Sequence, residues 1–291
     1  MESESSPAPG DSTGILSYLS KLDLYKAEKP YRCSIDPWHV PNAKVSNIVT
    51  TACPVEINNI RDHEVHFTTD IHGFELWKHA TSVPLEDFKQ DEEVPAKYLS
   101  ECEALLKDHF RAFRVHVFNH AYRNAEASRD LGYSLEEPRL LPPALFAHVD
   151  QTEKGARMRV MHHLPTEALP LLKSRFRIIN IWRPLMSPVQ DHALAVCDYR
   201  STDRADYVAT DIVSPSYQGE QYSVYHNESH RWWYADSMRE DEIVFLKCYD
   251  SLAENDPSVA RCCPHSSFEW YKSRRVSKPR RSIEIRALVF S

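Results

Sequence analysis

The sequence predicts a mainly β protein, an antiparallel barrel or sandwich with helices packed on one face. Three observations carry that expectation. Eight segments rich in β-branched and aromatic residues are bounded by Pro or polar turns. Only three segments show helical apolar spacing, and they lie early or flank the strands. Prolines mark turns at intervals from Pro30 onward, with no linker and no internal repeat to divide the chain.

In order along the chain, residues 1–13 are rich in Ser, Glu, Pro and Gly with almost nothing to bury, so a disordered tail is expected. From Gly14 to Tyr25, Ile15, Leu16, Tyr18, Leu19, Leu22 and Leu24 fall near helical spacing and predict a first helix. A strand is expected at Glu64–Thr68, a helix at Ala96–His109 and a strand at Ala112–Asn119. A second helical stretch, Thr152–Lys173, is broken at Pro165. The remaining strands are Arg175–Trp182, Tyr207–Val213, Tyr222–His226, His230–Ala235, Glu242–Tyr249 and Ser282–Phe290. At 291 residues, 42% hydrophobic and 26% charged, the chain can bury a full core, and one domain over residues 14–291 is expected.

The formal charge of −7 leaves no basic footprint, which argues against nucleic acid and anionic membranes. No apolar run is long enough to span a membrane, and MESESSPAPGDST lacks the layout of a secretory signal, so a cytoplasmic protein is expected. Seven scattered cysteines without C-x-x-C indicate neither a disulfide framework nor a zinc finger; Cys248 and most others read as buried thiols.

Among 15 histidines, two His-x-acid triplets stand out, His148-Val149-Asp150 and His226-Asn227-Glu228, each able to place both side chains on one face of a strand. His265 is a late third candidate for the first triplet. Two imidazoles and one carboxylate leave three positions open on a metal, the arrangement suited to Fe(II) oxygen chemistry with a bidentate 2-oxo acid. Arg280 and Ser282, in SKPRRSIEIRALVF, supply a guanidinium and hydroxyl that suit the far carboxylate of such an acid. Taken singly, the triplet, His265 and Arg280 could each be structural or solvated; order and spacing together favour the site.

Longer blocks bear on the same reading: DIHGFEL (Asp70–Leu76), RVHVFNHAYRN (Arg114–Asn124), AHVDQT (Ala147–Thr152), NIWRPL (Asn180–Leu185), HRWWY (His230–Tyr234), MREDEIVFLKCYDS (Met238–Ser251) and PRRSIEIRALVF (Pro279–Phe290). In these, from about Pro30 onward, the chain resembles the fungal asaB-like hydroxylase/desaturase family of the Fe(II)/2-oxoglutarate oxygenase superfamily. The resemblance implies a double-stranded β-helix core, jelly-roll and cupin-like, and iron held by His148, Asp150 and His265. It further implies 2-oxoglutarate gripped by Arg280 and Ser282, with Arg286 as fallback anchor, and O2 as the second cosubstrate. The activity implied is attack on a C–H bond of a small metabolite of secondary metabolism, by hydroxylation, desaturation or oxidative cyclisation.

For the substrate, Asn180 and Trp182 share a parity read as facing the barrel, and Arg183 is a cationic handle beside them. Arg114 and His116 on another strand, and Arg157 and Arg159 after the metal motif, are further candidates, with surface charge as their plainer reading. The number of arginines points to a carboxylated substrate. Two rivals stay open: an iron oxidase of the same fold that needs no keto acid, and a non-catalytic ligand-binding barrel. A zinc hydrolase is disfavoured because no acid is spaced to act as general base.

Overall fold

The computed structural model describes residues 13–34, 44–89, 94–127, 140–215, 217–270 and 278–291, so all but the last residue of the expected tail lies outside the described residues. Among these residues the strands form two sheets, one of ten and one of six. The larger runs, from edge to edge, Glu269–Trp270, Thr13–Leu19, Thr50–Asn59, Trp232–Tyr234, Leu194–Cys197, His265–Ser267, His148–Val149, Gln218–Val224, Tyr207–Val213 and Tyr31–Cys33. The smaller runs Phe74–Lys78, Glu242–Asp250, Phe176–Pro184, Arg281–Phe290, Arg114–Asn124 and Leu140–Leu141.

Strand Arg281–Phe290 lies inside the smaller sheet, antiparallel to both neighbours. Its register sets Ser282 against Pro184 and Arg123, Glu284 against Trp182 and Arg286 against Asn180. Side chains alternate across a sheet, and both faces here are used. Ile283, Ile285, Ile179 and Ile181 pack with Tyr98, Cys102 and Leu106. Those last three recur every four residues along helix Ala96–His109 and so form the stripe it buries. The opposite parity, Asn180, Ser282, Glu284 and Arg286, turns polar groups away from that apolar layer. Strand Phe176–Pro184 is buried along its whole length because both its faces are covered.

Helix Glu153–His163 begins where the Thr152 hydroxyl caps Gly155 N at 2.9 Å. A Cβ at Gly155 would meet Glu220 O at 2.4 Å, so only glycine lets the helix lie this close to strand Gln218–Val224. The helix stops before Pro165 as expected, and a short helix, Ala168–Leu171, follows.

Two expected elements are corrected. Gly14–Tyr25 is not a helix: Thr13–Leu19 is a strand, paired over seven positions with Thr50–Asn59, and a 3-10 turn occupies Asp23–Lys26. Its burial alternates, with Leu16 and Tyr18 inward, so the governing period is two, and Leu22 and Leu24 are solvent-exposed residues that only mimicked helical spacing. Glu64–Thr68 makes no ladder and instead carries Phe67 into the core beside Phe74 and Trp233.

Candidate metal centre

His148 and His265 are direct cross-strand partners in the larger sheet, their ring centroids 4.4 Å apart. Asp150, two residues after His148, shares its face. The ligand atoms of the three all lie within 4.8 Å of one another, and no other such group occurs among the described residues. The His226-Asn227-Glu228 triplet gathers no third ligand there; Glu228 faces solvent and Asn227 bonds Asp206.

The histidines are oriented by their own backbone neighbours. His148 Nδ1 lies 2.8 Å from Phe146 O, and His265 Nδ1 lies 3.0 Å from Cys263 O. A carbonyl can only accept, so Nδ1 carries the proton in both rings and each Nε2 presents a lone pair. Those Nε2 atoms stand 3.3 Å and 3.9 Å from Asp150 Oδ1. Burial and the adjacent His148 lower the proton affinity of His265, which favours the neutral, ligating imidazole. Burial alone would push the Asp150 carboxyl up; the Arg286 guanidinium overcomes that and holds it well below the usual carboxylate range.

The smaller sheet supplies the second layer. Asn180 Nδ2 donates to Asp150 Oδ2 at 2.7 Å and to Glu284 Oε1 at 3.3 Å. Arg286 Nε lies 3.3 Å from Asp150 Oδ2, its Nη2 lies 2.7 Å from Glu284 and its Nη1 donates to Asn119 Oδ1. Asn180 and Arg286, on neighbouring strands, thus clamp the Asp150 carboxylate, and Glu284 links the two of them. This gives Arg286 a place different from the expected one: its charge is already spent on Asp150 and Glu284.

Arg280 is left in the opposite condition. It is buried, with its guanidinium 5.6 Å from the Trp182 ring and Nη1 donating to His192 O at 2.7 Å and Ser267 Oγ at 3.2 Å. Its Nε and Nη2, and the hydroxyl of Ser282, are buried without a partner. Burial and the nearby Arg123 charge pull the Arg280 guanidinium down to about 9. Ser267 follows His265 by two residues on the same strand face, so the Arg280 head lies about 7 Å along the sheet from that histidine. Buried, unsatisfied donors at that spacing fit the far carboxylate of a five-carbon 2-oxo diacid whose near end reaches the metal. The three ligands, with neutral imidazoles and an ionised carboxylate, likewise fit a divalent iron.

A cavity of about 450 Å³ opens onto His148 and Asp150, with Arg32, Arg123, Arg159 and Arg286 in its wall. Arg159 is in that wall, its guanidinium 3.7 Å from the Tyr217 ring centroid. Asn180 and Trp182 face inward as expected, Asn180 onto Asp150 and Trp182 beneath Arg280. Arg183 and Arg114 are corrected. Arg183 has the other parity and is buried under helix Ala96–His109, bonded to Tyr98 Oη, His79 O, His79 Nδ1 and Glu240 O. Arg114 sits at the far end of its strand, half exposed, near Glu167. His116 packs by His163, and Arg157 pairs with Glu254, neither in the cavity wall. The residues that sequence reasoning missed are Glu284 and Arg123. Glu284 could have been found by parity, lying between Ser282 and Arg286.

A family model described as "YDMC: Oxidoreductase/YMDC permease-like domain" matches residues 16–290. Among the described residues no helix is long and apolar enough to cross a membrane. The hydroxylase/desaturase efuI of Hormonema carpetanum is 34% identical over 81% of this chain and 83% of its own. The Fe(II)/2-oxoglutarate-dependent dioxygenase nvfI of Aspergillus novofumigatus is 29% identical over 86% of this chain and 87% of its own. A solved variant of the iron and alpha-ketoglutarate-dependent endoperoxidase NvfI superposes with a TM-score of 0.85 at 25% identity, covering 98% of this chain and 99% of that one. That likeness establishes the jelly-roll core.

Proposed function

The chain belongs to the fungal hydroxylase/desaturase family of Fe(II)/2-oxoglutarate-dependent oxygenases, and from that premise we propose that it oxidises a C–H bond of a small carboxylated metabolite at His148, Asp150 and His265. Like its relatives it is a dioxygenase that uses iron, 2-oxoglutarate and O2. We read residues 14–291 as one oxygenase domain, because the larger sheet provides the ligands and the smaller one the Asn180 and Arg286 side chains that hold Asp150.

The observation that carries the assignment of residues is the pairing of three convergent ligands with three buried, partnerless donors on Arg280 and Ser282. Iron held there supplies the oxidising chemistry that couples loss of CO2 from the keto acid to cleavage of a substrate C–H bond. The protein's part is placement. Phe146 O and Cys263 O accept from Nδ1 of each ring and so turn both Nε2 atoms toward the metal position. Asn180 and Arg286 fix Asp150 so that one oxygen, Oδ1, is left toward the histidines. Arg280 and Ser282 hold the cosubstrate's far end beside Trp182, and the cavity opens onto His148 and Asp150. Arg32, Arg123 and Arg159 give the cavity wall a positive charge that suits an anionic substrate.

Succinate formed per product tests this reading. Stoichiometric succinate is expected; product formed without succinate would transfer Arg280 and Ser282 to the substrate and sink the cosubstrate assignment.

A further inference from the structure

Arg123 was not among the residues expected at the site, yet it stands opposite Ser282 in the register and lines the cavity with His148 and Asp150. Its Nη1 donates to Pro142 O at 2.8 Å, and among the described residues no carboxylate lies within 4.0 Å of it. Of the other charges of the wall, Arg32 is solvent-exposed and the rest are accounted for. Arg286 is taken by Asp150 and Glu284, Arg159 stacks on Tyr217, and Glu220 is bonded by Lys29 and Thr152. Arg123 is therefore a cation in an enclosed wall with no carboxylate in contact. Burial works against its charged form; Glu284 and Asp150 offset that only at longer range, being bonded to Arg286 and Asn180, and Arg286 and Arg32 add charge of the same sign. An unpaired enclosed cation is unfavourable, and a bound anion relieves that cost.

Two anions come into question, the cosubstrate's far carboxylate and a carboxylate of the substrate. The unsatisfied atoms of Arg280 lie beside Ser267 and Trp182, and Arg280 is not in the cavity wall, whereas Arg123 is. We propose that Arg123 grips a carboxylate of the substrate in the cavity, orienting it over the metal ligands and selecting carboxylated over neutral metabolites. This rests on the oxygenase reading and names the substrate class within it.

The test uses a matched pair of probes, 4-phenylbutanoate and 4-phenylbutanamide, whose binding to the anaerobic Fe(II)- and 2-oxoglutarate-loaded protein is measured by calorimetry. A charge-assisted hydrogen bond predicts that the unaltered protein prefers the acid by about 10- to 100-fold. Arg123→Gln should bring the two within about twofold while leaving 2-oxoglutarate affinity unchanged, and Arg123→Lys should keep most of the preference. A preference that survives Arg123→Gln, or is absent from the unaltered protein, overturns the proposal. So does a loss of 2-oxoglutarate affinity in Arg123→Gln as large as that in Arg280→Gln, which would give Arg123 to the cosubstrate. The acid–amide comparison in the unaltered protein decides even where Arg123→Gln fails to fold. Failure of the unaltered protein to bind Fe(II) and 2-oxoglutarate together would count against the oxygenase reading instead.

Discussion

Replacing Asn180 by Leu isolates what orients the metal carboxylate. Asn180 is fully buried; its Nδ2 donates to Asp150 Oδ2 at 2.7 Å, and its Oδ1 has no partner. A hydrogen bond to a charged acceptor contributes about 1.5–3 kcal/mol. Converted to a binding constant, that is about 10- to 150-fold. Outer partners of metal ligands, as a class, change metal affinity by about 10- to 100-fold when removed. The two routes agree, so Asn180→Leu is expected to weaken Fe(II) binding by about 10- to 100-fold. Arg286, still paired with Asp150, prevents a larger loss. The metal-free variant loses the same hydrogen bond, at about 1.5–3 kcal/mol, partly offset because Leu fills nearly the same volume and removes an unsatisfied buried oxygen. Anaerobic competition titration of Fe(II), with melting curves of the metal-free forms, measures both. Iron affinity within about twofold of the unaltered protein would refute the second-layer argument.

Arg280 and Arg286 should separate by readout. Arg280→Gln removes a buried charge-assisted grip and should raise the KM for 2-oxoglutarate by about 30-fold or more with iron affinity unchanged, whereas Arg286→Gln should weaken iron first; equilibrium titrations of each ligand check this. Asp250 is buried, bonded by Lys247 at 2.7 Å and Arg175 at 2.6 Å, and Lys247 is itself fully buried. Asp250→Ala therefore removes one of the two carboxylates on that ammonium, leaving the half-exposed Asp70 at 2.8 Å, and should cost about 1.5–3 kcal/mol in urea unfolding at pH 7. Burial pushes the Asp250 carboxyl up, but Arg175 and Lys247 prevail and hold it below its ordinary value. The linked stability is present above the unfolded carboxyl's pKa of about 4 and is lost as pH falls through the lower folded value. The variant's stability should accordingly vary less with pH below about 4 than that of the unaltered protein.

The ligands were legible in the sequence because a His-x-Asp triplet fixes two of them on one face whatever the strand's length. The strands themselves were not: His148–Val149 spans two residues and His265–Ser267 three, too short for any period to show. Long strands such as Glu242–Asp250 and Arg281–Phe290 were read nearly to their ends, since burial on both faces leaves near-continuous apolar runs. Parity placed Asn180 and Trp182 correctly and also placed Arg183 on the outer face, where its charge is absorbed by Tyr98, His79 and Glu240. Arg114 and Arg123 share one strand of eleven residues, and only the register with Ser282 tells which end meets the site. That register is a long-range property, set by which strands become neighbours. The Gly14–Tyr25 error has a similar root, because pairing with Thr50–Asn59 decides the period that local spacing left ambiguous.

The central claim is that His148, Asp150 and His265 hold iron with sites open to a keto acid gripped by Arg280 and Ser282. Anaerobic Fe(II) titration with and without 2-oxoglutarate tests it most directly, through the visible metal-to-ligand charge-transfer band of a chelated keto acid. The account predicts a band that requires both components and disappears in His265→Ala. A band that persists undiminished in His265→Ala, or iron bound with no band on adding 2-oxoglutarate, would contradict it.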